Sequence, residues 1–553
     1  MENLPQDILD LIAEFAHPLL DDQQAIPGTD DGEVPEWNVA HLATVCRRWQ
    51  AAFERQIFKT VVLDISRFST FKSVCTGRRR RCMRQVHFIP KDARPLPAGL
   101  GCWETADERK ALDEEFSAQI SSLFSFLRDW ESDSTDDRHG NVELHVEVER
   151  FPQWTTGACE HRKCRSWRLH LKNAEILPQL SSFTGLKVTS GIHTPIDFTV
   201  PLALMSRLPN LRSLTCNIYD FYHRYMEVGL ENRLRLMYQG PRRDSRHAFG
   251  DAIEAGVYKI PRTLQHVTFD SIGFDPDHEP RDQRDSPLNL VSPSTYDPFS
   301  SGLRLLSTNL RTWRVRGLLD TTVFWPAPPL NPGKDLRPEP PSWPELEDLD
   351  IEFELTRPAG SWYFAATCSD ANTRPYARPI AALDYPPSTT TREDREDDEA
   401  WETDDWEWQM RNQALLTWGR DAGLEGVQRG SMLPPVVFRV APWEKHVLPM
   451  LSAFARAAAK MPSLKRAWLH ASVKEQAEDK SQWFGVGTGR LLDWGVKYEA
   501  PTKHMRTRRL TWFVGDWRPP AEMRGLFRRI GAATGREVLE VFDDPPVQPN
   551  ESR

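Results

Sequence analysis

The chain has 553 residues, of which 39% are hydrophobic, and its 26 phenylalanines and 20 tryptophans supply enough apolar surface for extensive cores. This composition excludes wholesale disorder, and the length predicts several domains or one long repeat array. The net charge of -9, from 70 basic and 79 acidic residues, is too small to favour nucleic acid or an anionic membrane as a partner.

The sequence predicts a cytoplasmic or nuclear location. Its eight cysteines are spread thinly, which is typical of a reducing compartment. The first residues lack the basic start and apolar run of a secretory signal, and no apolar run approaches the roughly 20 residues that span a bilayer.

The first sixty residues predict two amphipathic helices that face one small core. The apolar residues of the first helix recur at helical spacing, at Ile8, Leu11, Ile12 and Phe15. After a polar stretch over 21–35, Asn38 can cap a second helix. The apolar face of that second helix would carry Leu42, Val45, Cys46, Trp49 and Phe53.

These residues resemble the F-box, whose pattern is Leu-Pro-x-acidic-Ile-Leu followed by a helix containing Val-Cys-Arg-x-Trp. The matching positions are Leu4, Pro5, Asp7, Ile8 and Leu9, and then Val45, Cys46, Arg47 and Trp49. The resemblance covers residues 1–58 and departs from the family in the insertion over 21–35. It implies binding to Skp1 through a surface that includes Leu4, Pro5, Ile8, Leu9, Ile12, Val45 and Cys46. The alternative interpretation is an unrelated helical hairpin.

Five later segments share one pattern, a leading leucine followed by two apolar residues at alternate positions. The leading leucines are Leu211, Leu264, Leu310, Leu346 and Leu464. Alternation with period two predicts a short strand in each segment, with the leucine packed beneath it. In a leucine-rich-repeat-like solenoid these strands would be parallel. The leucines lie 53, 46, 36 and 118 residues apart, so the repeat is irregular.

The predicted fold class is therefore α/β, with an irregular leucine-rich-repeat-like solenoid over 59–545 and a disordered tail over 546–553. Loops are expected at about 275–300 and 370–400, where Pro, Asp and Ser accumulate. Further candidate strands are Thr60–Leu63, Asn141–Val148, Trp167–Leu171 and Leu510–Val514, and Leu448–Met461 is a candidate helix. In this layout the chain resembles fungal F-box proteins with degenerate leucine-rich repeats.

In such a solenoid the concave face carries the residues that alternate with the buried ones. The candidate substrate-binding residues on it are Arg314, Arg316, Asp350, Glu352 and Trp468. If the strands after Leu310 and Leu346 are neighbours, the two arginines should pair with the two carboxylates. Mutual neutralisation on a solvated sheet is an equally good interpretation of these charges.

An acidic segment interrupts the last gap between repeats. Residues 392–408 contain ten acidic residues and three tryptophans. We expect disorder up to about Asp398 and an amphipathic helix over 401–418 that docks on the solenoid. The alternative interpretation is an acidic aromatic arm that recruits a basic partner.

No nucleophile elbow, zinc-protease motif, phosphate loop or kinase signature is present, so the sequence predicts no enzyme, no metal and no cofactor. Cys159 and Cys164 have no second ligand pair nearby, which disfavours a structural zinc site. The predicted function is a substrate-recruiting adaptor of a Skp1-cullin-F-box ubiquitin ligase. Its partners would be a Skp1-like adaptor, a cullin and an unknown protein substrate, without nucleic acid or membrane. The alternative is a non-catalytic interaction scaffold that acts outside a ubiquitin ligase.

Overall fold

The computed structural model describes residues 5–16, 44–91, 106–132, 141–148, 168–191, 195–220, 231–272, 287, 289–327, 340–366, 439–474 and 491–543. The acidic segment 392–418, the loop predicted at 370–400, the Cys159 to Cys164 motif and the tail 546–553 lie outside these residues.

The described part contains ten α-helices of very different length. They are α1 Gln6–Ala16, α2 Arg47–Ile57, α3 Phe68–Val74, α4 Gly77–Cys82, α5 Ala106–Ser132, α6 Thr199–Met205, α7 Glu231–Glu254, α8 Pro298–Leu306, α9 Glu444–Ala458 and α10 Ala521–Phe527. Within the same ranges, no helix combines the length and the apolar composition that a bilayer crossing requires.

Most strands belong to one large sheet. They are β1 Thr60–Leu63, β2 Gln85–Phe88, β3 Val142–Glu147, β4 Phe183–Thr189, β5 Ser213–Tyr219, β6 His266–Ile272, β7 Thr312–Gly317, β8 Asp348–Phe353, β9 Thr356–Arg357, β10 Ser361–Trp362, β11 Phe364–Ala366, β12 Arg439–Pro442, β13 Arg466–Lys474, β14 Leu491–Glu499, β15 Arg508–Phe513 and β16 Val538–Phe542. The twelve-stranded sheet has the order β1 to β8 and then β13 to β16, while β9 pairs with β10 and β11 with β12.

The large sheet is mostly parallel. Every neighbouring pair from β1 to β8 is parallel, and so are β8 with β13 and β15 with β16. Only β14 runs antiparallel to both of its neighbours. Because β1 and β16 stand at opposite edges, the described strands form an open sheet and no closed barrel. The predicted α/β class with parallel strands is confirmed.

One face of the sheet is buried against helices in a single hydrophobic core. Strand residues such as Leu214, Phe269 and Ile351 share this core with Phe299 of α8 and Phe454 of α9. The five leading leucines of the predicted repeat are all buried, at Leu211, Leu264, Leu310, Leu346 and Leu464. Their strands β5, β6, β7, β8 and β13 are consecutive neighbours in the sheet, as the shared pattern requires.

Several predicted elements agree closely with the structure. The candidate strand Thr60–Leu63 is β1, the candidate over 141–148 contains β3, and the candidate over 510–514 overlaps β15. The candidate helix over 448–461 corresponds to α9, which precedes β13 in the predicted helix-then-strand order. The candidate strand at 167–171 is reduced to an isolated bridge between Leu169 and Ile196 in the described residues.

Two local expectations differ from the structure. Helix α2 begins at Arg47, because Cys46 has an extended backbone and its carbonyl accepts the first helical hydrogen bond from Gln50 N–H at 2.8 Å. Val45 and Cys46 therefore precede the helix, whereas they were expected within it. In the loop expected at 275–300, the described end is packed: Asp297 is buried and caps α8, which starts at Pro298.

Candidate functional site

The N-terminal helices α1 and α2 pack against each other around a small core of their own. This core contains Leu9, Ala13, Ala52 and Phe53, with Trp49 and Ile57 packed beside it. The rings of Trp49 and Phe53 stack with centroids 5.4 Å apart. An ion pair between Asp10 and Arg55 closes the edge of the helix pair. The expectation that Trp49 and Phe53 belong to this core is confirmed.

The apolar stripe of α1 points away from that core. Ile8, Leu11 and Ile12 are 38%, 47% and 37% exposed, although their helical spacing predicts burial. Instead α1 packs through Leu9 and Ala13, which lie one position further along the helix. Val45, just before α2, is 62% exposed. Among the described residues, the helix pair thus presents apolar side chains that remain exposed.

The candidate Skp1-binding residues are therefore placed in two environments. Pro5, Ile8, Ile12 and Val45 are exposed, and Cys46 is half-buried. Leu9 is 2% exposed in the core of the helix pair, so it supports this surface from below. Leu4 lies outside the described residues.

A partly buried ion pair joins α2 to α4. Arg79 of α4 donates to Glu54 Oε1 of α2 from both Nε, at 3.0 Å, and Nη2, at 2.8 Å. Burial acts to raise the pKa of Glu54, but hydrogen bonds from Arg79 and Gln50 hold that pKa below its usual value. The guanidinium of Arg79 also lies 5.1 Å from the ring centroid of Phe58. These contacts link the helix pair to α4, the helix that precedes β2.

The other face of the sheet, which we call the polar face, is formed by residues that alternate with the buried ones on β5 to β8 and β13. Each strand contributes three residues, and the parallel pairing aligns them in three rows. The first row is Ser213, His266, Thr312, Asp348 and Arg466, the second is Thr215, Thr268, Arg314, Asp350 and Trp468, and the third is Asn217, Asp270, Arg316, Glu352 and His470.

The predicted neighbourhood of basic and acidic strands is confirmed. Arg314 lies opposite Asp350 and Arg316 opposite Glu352 in the register of β7 and β8. Arg316 Nε is 3.2 Å from Glu352 Oε2, and both side chains are partly exposed. A basic stripe on β7 therefore borders an acidic stripe on β8, and the charges are partly paired within the sheet.

Trp468 belongs to a cluster of aromatic and carboxylate side chains at one side of the polar face. Its ring stacks on that of His470 with centroids 3.8 Å apart. His470 Nε2 is 3.3 Å from Asp350 Oδ1, and Ser472 Oγ donates to Glu352 Oε1 at 2.9 Å. The structure thus brings all five candidate substrate-binding residues onto three adjacent strands.

Asp270 of the third row has an unusual carboxyl group. Burial, together with the negative charge of Glu352, raises its pKa to about 6, and Arg316 opposes this shift. Near that pH a protonated Asp270 can donate a hydrogen bond, whereas above it the carboxyl accepts hydrogen bonds only. The polar face therefore contains a carboxyl group that titrates near neutral pH.

A second group of polar residues lies on the same face at β2 and β3, and sequence reasoning did not single it out. His87 Nε2 is 2.6 Å from Glu147 Oε2, and the rings of His87 and His145 stack with centroids 4.2 Å apart. His145 Nε2 is 3.1 Å from Thr189 Oγ1 of β4. The available signal was the His145-x-Glu147 spacing inside a predicted strand, which places both side chains on one face.

A buried charge network anchors α7 against the loops that follow β5 and β7. Asp220 pairs with Arg242 at 2.7 Å and also with Arg168. Arg246 Nη2 is 2.6 Å from Asp297 Oδ2 and donates to the carbonyl of Leu318 at 2.7 Å. These arginines are engaged by carboxylates of the chain itself, so we assign the network to structure.

Comparisons with known proteins add no relative. No family model matches the chain, and neither the curated proteins nor the solved structures contain a match.

Proposed function

We propose that this chain is a substrate-recruiting adaptor of a Skp1-cullin-F-box ubiquitin ligase that performs no chemistry itself. In this proposal α1 and α2 form the F-box that binds Skp1. The large sheet and its helices form a leucine-rich-repeat-like solenoid, and its polar face binds a target protein. The observation that carries the proposal is the exposed apolar stripe of Ile8, Leu11 and Ile12 on a helix pair that already has its own core.

An apolar stripe on a packed helix pair favours a protein partner over a polar ligand. Fully burying one Ile, Leu or Val side chain contributes about 1.5–3 kcal/mol. Ile8, Ile12 and Val45 are 38%, 37% and 62% exposed, so covering them with a partner contributes roughly half of that amount each. Two residues of the stripe, Ile8 and Ile12, belong to the surface that the F-box resemblance implies for Skp1 binding.

The polar face supports the second half of the proposal. Its aligned charges, partly paired as Arg316 with Glu352, fit a partner of complementary pattern better than a partner of one charge sign. Trp468 adds a half-buried aromatic ring, the type of side chain that often dominates binding energy at protein interfaces.

The described fold is suited to positioning. The ion pair of Glu54 with Arg79 links the helix pair to α4, and continuous strand pairing connects β1 to the strands of the polar face. An adaptor of this kind accelerates ubiquitin transfer by orienting a target rather than by contributing reactive groups.

The test is direct binding of the full-length chain to purified Skp1. Ile8→Glu/Ile12→Glu should weaken binding at least about a hundredfold, because two apolar contacts are replaced by charges. The matched control is Ile176→Glu/Val257→Glu, which places the same charges at sites that are 70% and 64% exposed elsewhere. Unchanged binding by the first variant, or an equal loss in the control, would contradict the assignment.

A further inference from the structure

The histidine pair on β2 and β3 has the composition of a metal site. His87 and His145 are opposite each other in the parallel register, and Glu147 follows two positions later on β3. All three side chains lie on the polar face, and one ligand atom from each can be chosen such that all lie within 4.8 Å of one another. Two imidazoles and one carboxylate are a common ligand set for zinc and related divalent metals.

The side chains of His87, His145 and Glu147 are mostly buried but remain partly accessible to solvent. His145 is 7% exposed, while the side chains of His87 and Glu147 are 18% and 16% exposed. A cation can therefore reach the group from the open side and exchange water for protein ligands in a partly desolvated position.

Thr189 supplies the outer contact that metal-binding histidines commonly have. Its hydroxyl lies 3.1 Å from His145 Nε2. When Nε2 donates to that hydroxyl, the lone pair of the imidazole is on Nδ1 and free to bind a cation.

The charges and ligand types around this group favour one class of metal ion. Lys187 lies opposite His145 on β4, and its ammonium disfavours any cation held by charge alone. Hard ions such as Mg²⁺ and Ca²⁺ prefer oxygen ligands, of which the group offers one carboxylate. A transition metal with high affinity for imidazole is the better fit.

We propose that His87, His145 and Glu147 form a binding site for a divalent transition metal, with zinc as the reference ion. The imidazole rings, whose planes now differ by 8°, tilt on binding so that both lone pairs point to one ion. Three protein ligands leave one tetrahedral position for water or for a group of a bound partner. This inference is independent of the proposed adaptor function.

The test uses the full-length chain, stripped with a chelator and titrated with zinc by calorimetry and with cobalt by visible absorption. We expect one equivalent of zinc to bind, and His145→Gln and Glu147→Gln each to weaken that binding about tenfold or more. His266→Gln is the matched control, because His266 is an exposed histidine on the same face and contacts Thr312. Its zinc affinity should equal that of the unmodified chain.

Three results would overturn the site. One is the absence of zinc binding in the unmodified chain. Another is equal affinity in the unmodified chain, in His145→Gln and in the conservative Glu147→Gln. The third is a thiolate charge-transfer band with cobalt, which would place the metal at cysteines. Thermal unfolding of each variant without metal checks that the fold is retained, and zinc should raise the midpoint only where it binds.

Discussion

The carboxyl group of Asp270 makes the stability of the folded protein depend on pH. Its carboxyl lies in the row between Asn217 and Arg316, and burial raises its pKa from 3.8 to about 6. Between pH 3.8 and about pH 6, Asp270 is therefore protonated in the folded protein but ionised in the unfolded chain. The stabilising contribution of the protonated form is complete below about pH 4 and is lost as pH rises through about 6.

We predict that Asp270→Asn makes the protein more stable at pH 7. Since the amide carries no charge to desolvate, the gain should be about 1–2 kcal/mol after allowance for partial exposure, and the decline in unfolding free energy between pH 4 and 6 should flatten. Urea unfolding at a series of pH values measures both effects.

Asp348→Asn is the control for that experiment. Asp348 is a neighbour on the same face, and its exposed pairing with Arg466 at 2.7 Å should contribute only about 0–1 kcal/mol. A less stable Asp270→Asn protein at pH 7, or an unchanged slope between pH 4 and 6, would show that the carboxyl is not destabilised by burial.

Single residues of α1 show where sequence reasoning fails. The spacing of Ile8, Leu11 and Ile12 correctly predicts a helix with one apolar stripe, but the same spacing does not tell whether the stripe faces the chain's own core or a partner. Leu9 and Ala13 take the core position because they contact Ala52 and Phe53 of α2. That choice depends on how α2 crosses α1, which the 21–35 insertion left open in the sequence.

Among the elements, α7 and α8 approach unusually closely. A Cβ at Gly250 of α7 would lie 2.2 Å from the carbonyl oxygen of Pro298, and a Cβ at Gly302 of α8 would lie 3.1 Å from Gly250 Cα. Phe249 and Phe299 pack beside this contact with ring centroids 4.8 Å apart. Only glycine allows the two helices to meet at this distance.

We predict that Gly250→Ala destabilises the protein by about 1–3 kcal/mol or more, because the added methyl forces α8 away from its aromatic contacts. Gly525→Ala in α10 is the matched control, since no atom lies within 4 Å of its Cβ position. Alanine there should be neutral or stabilise by up to about 1 kcal/mol through helix propensity. Denaturant unfolding of the two variants measures this difference in stability. Equal midpoints would refute the close packing of α7 on α8.

The elements themselves were predictable to different degrees. Strands β5 to β8 and β13 follow from the leucine pattern, since buried residues alternate with period two after each leading leucine. Helix α5 had a usable signal in the helical spacing of Phe116, Ile120 and Leu123, which are all buried. The antiparallel β14 could not be foreseen, because a strand's direction depends on its connections rather than on its own side chains.

At the scale of the whole molecule, the strands pair in a common register although the sequence repeat is irregular, so their side chains form aligned rows. Segments separated by 36 to 118 residues in the chain become neighbouring strands with a common register. The described residues between these strands lie outside the large sheet, so the unequal spacing of the repeat is compatible with a common register. The candidate pairing of Arg316 with Glu352 was predictable for this reason, whereas the grouping of His87 with His145 required knowledge that β2 and β3 are neighbours.

The adaptor proposal places two binding surfaces on this one body, the apolar stripe of the helix pair and the polar face of the sheet. They lie on separate elements that are joined through Glu54 and Arg79. Substitutions on one surface should therefore leave binding at the other unchanged, because sites without shared contacts act independently.

The most direct test of the central claim is native affinity purification of the tagged full-length chain, with its bound proteins quantified. The adaptor proposal predicts that Skp1 and a cullin are recovered together, that both are lost from Ile8→Glu/Ile12→Glu, and that both are retained by Ile176→Glu/Val257→Glu. Recovery of Skp1 without a cullin would contradict action within a ligase and support the scaffold alternative, and recovery of neither would contradict the F-box assignment itself.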